Sequence, residues 1–211
     1  MSYQREPAGE WNVWMCEPIA DRDVELIRIA GPMQPAAFRL ACFPHAADSS
    51  GALWHLARQL LPSVEVLAVR YPRHDVRDAD GTMGDLDEVV SESVRLLRGW
   101  TDLPLALFGH RSGGEIALRV AGRLEQETDI APRCTFVANW GASPKFETVR
   151  LRSPVVALAG ATDVPAQPQW RACTRDRFEV EAWVDGGRLL ENRCADIVNL
   201  IHDQLISTPI E

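Results

Sequence analysis

The chain has 211 residues, of which 46% are hydrophobic, and this size and composition predict one domain with a substantial buried core. Its formal net charge of -8 argues against nucleic acid or an anionic membrane surface as the main partner. The first ten residues lack the pattern of a signal peptide, and no window is apolar enough to span a membrane. The five cysteines include no C-x-x-C pair. We therefore expect a reduced, cytoplasmic protein without a disulfide framework, bound metal or other cofactor.

Apolar runs alternate with helical patterns along most of the chain. Residues 1–24 are polar and predict an arm on the surface, and residues 25–211 predict a single domain. Helical spacing of apolar residues marks 85–98 and the segment around 197–205, and helices are also predicted at 52–61 and 113–125. This alternation predicts an α/β fold with a doubly wound, mostly parallel sheet. The predicted strands are 24–29, 38–43, 64–69, 105–109, 134–139, 154–160 and 178–184.

The segment 105–118, LALFGHRSGGEIAL, runs from an apolar strand through a glycine-flanked turn into a helix. This is the layout of a nucleophile elbow, in which G-x-S-x-G exposes a serine above a parallel sheet. Counted from Gly109 to Gly113, however, the central residue is Arg111, and the serine follows one place later at Ser112. Arginine stays protonated at accessible pH, so it can act neither as a nucleophile nor as a general base.

Five segments, in order, make the sequence resemble the type II thioesterases of polyketide and nonribosomal-peptide assembly lines. The resemblance covers most of residues 37–206 and implies an α/β-hydrolase fold. The segments are RLACFPHA (39–46), VEVLAVRYPRHDVRD (64–78), the elbow with the following EIALRVAGRLE, VVALAGATD (155–163) and VDGGRLLEN (184–192).

The resemblance implies a site that departs from the family's serine–histidine pair. It places Arg111 at the position of the nucleophile and Arg188 at the position of the general base, while Asp163 keeps the position of the triad acid. An Asp163–Arg188 ion pair would then replace the usual acid–histidine hydrogen bond, unless both arginines turn outward. Only a short segment joins Asn139 to Pro154, where the family has a helical lid, so we expect a lid-less and open cleft.

Other residues are predicted to lie at this cleft. The amide of Ala46, next to His45, would complete an oxyanion hole with the amide of Ser112, although FPHA could be only a turn at a strand end. His110 is adjacent to Ser112 but occupies a variable position of the elbow. Ser112 could be a displaced nucleophile, which requires a base, or could simply begin the helix. Trp140 could line the pocket or serve packing.

Three functions are compatible with this site. The first is a natural-product enzyme that acts without a covalent intermediate, using Arg111, Arg188 and backbone amides to polarise an anionic or enolisable group in a cyclisation, elimination or decarboxylation. The second is a non-catalytic protein that binds a carrier protein, a partner enzyme or an intermediate. The third is residual thioester hydrolysis by Ser112. The expected partners are a small-molecule or carrier-bound intermediate and an acyl or peptidyl carrier protein, whose acidic surface would require a basic patch beside the cleft, formed by Arg73, Arg77, Arg111 and Arg188.

Overall fold

The computed structural model describes residues 24–30, 35–45, 50–71, 84–139, 149–160, 170–183 and 189–206. All the predicted strands and helices are present within these ranges, with bounds that differ by a few residues at most. The strands are β1 (Glu25–Ala30), β2 (Phe38–Phe43), β3 (Val64–Arg70), β4 (Leu105–His110), β5 (Thr135–Ala138), β6 (Val155–Gly160) and β7 (Phe178–Trp183). The helices are α1 (Ser50–Leu60), α2 (Gly84–Leu97), α3 (Ser112–Glu127), the unpredicted short α4 (Leu189–Asn192) and α5 (Cys194–Ile206), with a 3₁₀ helix at Arg98–Trp100.

The strands form one sheet in the order β1-β3-β2-β4-β5-β6-β7. Strand β1 pairs antiparallel with β3, whereas every other described pair of neighbouring strands is parallel. Parallel neighbours require crossover connections. Among the described residues, α1 follows β2 on one face of the sheet, and α2 and α3 follow β3 and β4 on the other. The predicted doubly wound, mostly parallel sheet of an α/β-hydrolase fold is confirmed.

Both faces of the sheet are buried, which explains the continuous apolar runs of the central strands. Side chains alternate between the faces along each strand. On β2, Leu40 packs into the core beneath α1 and α5, while the next residue, Ala41, packs into the core beneath α2 and α3. The two helical layers therefore cover the central strands, and the predicted elbow lies at the carboxyl ends of the parallel strands.

Several predictions concern the limits of the domain. Val24, the last residue of the predicted arm and the first of the predicted strand 24–29, is only 7% exposed and belongs to the core beneath α2. The division into an arm and a domain stays a prediction. Cys42, within β2, and Cys134, directly before β5, are both buried. The remainder of the arm, and residues 140–148 of the segment where no lid is expected, lie outside the described residues. None of the described helices has the length and apolar character needed to cross a membrane.

Candidate functional site

The turn between β4 and α3 is a nucleophile elbow with Arg111 at its apex. Arg111 has a φ of 50° and a ψ of -117°, a backbone conformation that residues other than glycine rarely adopt. Its amide donates to the carbonyl of Ala138 over 2.8 Å, and its own carbonyl accepts the amide of Gly114 over 3.0 Å. The Arg111 side chain is exposed. Arg111, rather than Ser112, thus occupies the place at which this turn presents a side chain.

Two glycines make the elbow possible because no side chain would fit at either position. A Cβ atom on Gly109 would lie 2.4 Å from the carbonyl oxygen of Gly113. A Cβ atom on Gly113 would lie 1.9 Å from the carbonyl oxygen of Phe43. The end of β2 therefore rests directly on the first turn of α3, and the spacing of glycines in the sequence correctly located the elbow.

Ser112 begins α3, as expected, and its hydroxyl contacts an imidazole. The Oγ atom of Ser112 lies 2.7 Å from Nδ1 of His45, and both residues are half-buried. A hydroxyl and an imidazole at this distance have the geometry of a nucleophile and its base, or of a short path for a proton. Which atom donates depends on the tautomer of the ring.

The contact between His45 and Ser112 was missed from the sequence, where His45 was assigned only to the oxyanion turn. A signal for it exists in the parallel register of β2 and β4, in which Phe43 is the partner of Gly109. His45 lies two residues beyond Phe43 and Ser112 lies three beyond Gly109, so both follow the ends of neighbouring parallel strands at the same edge of the sheet. Using that signal requires knowing that β2 and β4 are neighbours.

The loop that carries His45 is also held from the opposite side. Tyr71, the residue after β3, donates a hydrogen bond from its hydroxyl to the carbonyl oxygen of Pro44. The other histidine of the elbow differs in its surroundings: His110 is only 5% exposed, although the adjacent Arg111 is exposed. Because the described contact of the Ser112 hydroxyl is with the ring of His45, His45 is the better candidate base for Ser112.

Four of the predicted site residues lie outside the described residues: Ala46, Trp140, Asp163 and Arg188. The Asp163–Arg188 ion pair and the amide of Ala46 in an oxyanion hole therefore stay predictions. Within the described ranges, no group of three or more His, Cys, Asp or Glu side chains could hold a metal ion. The described cysteines are not activated as nucleophiles. Burial raises the pKa of the Cys173 thiol to about 12, and it also raises the thiol pKa values of Cys42 and Cys134.

Comparison with known proteins assigns the family. The profile of the Thioesterase domain family matches residues 38–154, more than half of the chain, and this protein belongs to that family. The Streptomyces venezuelae protein named Thioesterase PikA5 is 26% identical over 86% of each chain. A probable cadicidin biosynthesis thioesterase of Streptomyces griseus is 30% identical over 59% of this chain and 34% of its own length.

Solved structures confirm the fold. The type II thioesterase BorB from the borrelidin biosynthetic cluster superposes with a TM-score of 0.70 at 24% identity, over 86% of this chain and 96% of BorB. The RedJ thioesterase from the prodiginine pathway of Streptomyces coelicolor has a TM-score of 0.62 at 19% identity, over 97% and 98% of the two chains. The resemblance to type II thioesterases of natural-product biosynthesis, predicted from five short segments, is confirmed.

Proposed function

We propose that this protein acts in polyketide or nonribosomal-peptide biosynthesis on a small-molecule or carrier-bound intermediate, without forming a covalent acyl-enzyme. Support for the pathway comes from relatives such as PikA5 and BorB, which are thioesterases, the latter from a biosynthetic cluster. The observation that carries the chemistry is the position of Arg111 at the apex of an intact elbow. A guanidinium there cannot attack a thioester, but it can bind and polarise an anion or a developing enolate.

The surroundings of Arg111 favour negative charge. The apex lies at the amino end of α3, a helix of 16 residues, where free amides and the helix dipole attract anions. A guanidinium binds carboxylate or phosphate oxygens through two parallel hydrogen bonds. The proposed ligand group is therefore a carboxylate, or a carbonyl that becomes an enolate during the reaction.

Proton transfer at this site is assigned to His45. Histidine is the side chain best suited to moving protons near neutral pH, and the hydroxyl of Ser112 lies 2.7 Å from its Nδ1 atom. A fixed cation near a proton donor or acceptor is suited to a cyclisation, elimination or decarboxylation that passes through a carbanion or an enolate. In this scheme Asp163 and Arg188 complete the pocket.

The proposal is tested by comparing the binding of malonyl and acetyl thioesters of N-acetylcysteamine, which differ by one carboxylate. Wild-type protein is expected to prefer the malonyl compound, and Arg111→Ala should lose that preference. Because the side chain of Arg111 is exposed, we expect the lost preference to correspond to about 1 kcal/mol of binding free energy. The matched control is Arg98→Ala, since Arg98 is an exposed arginine near the amino end of β4. Identical binding by wild type and Arg111→Ala would instead support a non-catalytic protein that works through its outer surface.

A second function, thioester hydrolysis by Ser112, is favoured by the contact between Ser112 and His45. In that case His45 would remove the proton from the Ser112 hydroxyl as the oxygen attacks the thioester carbonyl. A serine-directed fluorophosphonate distinguishes the two functions. Absence of labelling supports the non-covalent reaction. Labelling that is abolished by both Ser112→Ala and His45→Gln would establish the hydrolase instead.

A further inference from the structure

We propose that Tyr71 is a positioning residue, whose hydroxyl fixes the loop that holds His45 against Ser112. The inference rests on the proposed function in one respect only, which is that His45 is the residue that transfers protons. The hydroxyl of Tyr71 donates its described hydrogen bond to the carbonyl of Pro44, the residue that precedes His45. Its effect on the site would therefore be transmitted through one peptide unit.

The topology of the sheet places three chain segments side by side at this edge. Strand β2 lies between β3 and β4. Tyr71 follows β3, His45 follows β2, and Ser112 follows β4 by two residues. The loop after β2 is therefore bonded on both flanks, to Tyr71 on one side and to Ser112 on the other.

The chemistry of Pro44 explains why the carbonyl is the point of attachment. Proline has no amide N–H, so its carbonyl is the only main-chain group through which this residue can be hydrogen-bonded. The carbonyl belongs to the planar peptide unit that ends at the Cα atom of His45, so a bond to it restrains the orientation of that Cα atom. The preceding residue, Phe43, is held where its carbonyl meets Gly113.

With Phe43 and Pro44 both restrained, the remaining freedom of His45 lies mainly in its own side chain. The contact of its ring with Ser112 then fixes the ring nitrogens. Tyr71 is half-buried, and a tyrosine in such a place usually finds a partner for its hydroxyl. Tyr71→Phe would keep the packing of the ring and remove only the donor.

The state of the His45 ring is measurable directly by ¹⁵N NMR, which reports the tautomer and the protonation of each imidazole. The chain has five histidines, and the signals of His45 are identified by their loss in His45→Gln. We expect Tyr71→Phe to change the tautomer ratio of His45 and to move its titration midpoint by a few tenths of a pH unit, in the same direction as Ser112→Ala. Tyr3→Phe is the matched control, because Tyr3 is the other of the two tyrosines.

The inference is overturned if Tyr71→Phe leaves the His45 ring signals as they are in wild type. If that variant does not fold, 3-fluorotyrosine incorporated at both tyrosines keeps the ring and supplies a more acidic donor. The His45 signals should then shift away from the wild-type values, and unchanged signals would again contradict the inference. These measurements need no substrate, so their outcome is independent of whether Arg111 selects malonyl thioesters.

Discussion

Arg39 and Glu65 form a buried ion pair across β2 and β3. The Nε atom of Arg39 lies 2.6 Å from an oxygen of Glu65, and the two side chains are only 4% and 5% exposed. Arg39 also donates to Asp102 and to the carbonyl of Trp100, each over 2.6 Å, and its guanidinium lies over the Trp100 ring. This network lies near the amino ends of the strands, far from the edge that carries His45. Stability and site chemistry can therefore be perturbed separately.

Glu65→Ala is expected to lower the free energy of unfolding by about 3 kcal/mol, since removal of one partner from a buried pair leaves the other charge uncompensated. The value lies at the low end of the usual range because Arg39 keeps its bonds to Asp102 and Trp100. Urea unfolding measures the loss. Asp102→Ala is the control: its side chain is 70% exposed, so we expect a loss below about 1 kcal/mol. Equal losses in the two variants would contradict this account.

The same network predicts how stability depends on pH. The hydrogen bond from Arg39 holds the pKa of the Asp102 carboxyl below its usual range. A pKa that is lower in the folded state contributes stability above the unfolded value, and this contribution is lost as the pH falls through the folded value. Asp102→Asn should thus be slightly less stable than wild type near neutral pH, and the difference should disappear in acid. Urea unfolding from about pH 7 to about pH 2 tests this; a difference that stays constant with pH would refute it.

Gly113→Ala is expected to destabilise the protein by about 3 kcal/mol or to prevent folding, because the new methyl group would overlap the main chain at Phe43. Gly51→Ala makes the same chemical change in α1, where no atom lies within 4 Å of the added Cβ. That control should be as stable as wild type, or more stable by up to about 1 kcal/mol, since alanine has a higher helix propensity than glycine. Thermal unfolding compares the two. Similar melting temperatures would show that the loop after β2 can move away from α3.

Arg111→Gly is expected to separate stability from binding. A residue other than glycine is strained by about 1–3 kcal/mol at the φ and ψ of Arg111, and glycine removes this strain. Part of the gain is offset because glycine also makes the unfolded chain more flexible. The variant should therefore be about 1 kcal/mol more stable than wild type and yet lose its preference for malonyl thioesters. Arg111→Lys is the control, because it keeps the strain and the positive charge and should leave stability unchanged. A destabilised Arg111→Gly would mean that contacts of the arginine side chain outweigh the strain.

The strands and the elbow were predictable because their signals are local. Strands buried on both faces, such as β2, need apolar residues at nearly every position, and the turn at Arg111 needs glycine at Gly109 and Gly113 for lack of space. Contacts between distant segments were not predictable in this way. His45 and Ser112 are 67 residues apart in sequence, and their meeting depends on the order of the strands. The pairing of Arg39 with Glu65 likewise follows only once β2 and β3 are known to be neighbours.

The main chain and the glycines of the elbow set the shape of the turn around its apex. The turn is closed by main-chain bonds from Arg111 to Ala138 and from Gly114 to Arg111, and by two glycines that leave no space for a Cβ atom. At the apex, the backbone therefore sets the position of the side chain, and the identity of the residue sets its reactivity. Serine, cysteine, histidine or aspartate introduced at position 111 would each be presented at the same point of the turn, one residue before the Ser112 hydroxyl that contacts His45. This one position is therefore a suitable starting point for engineering new catalysts on this fold.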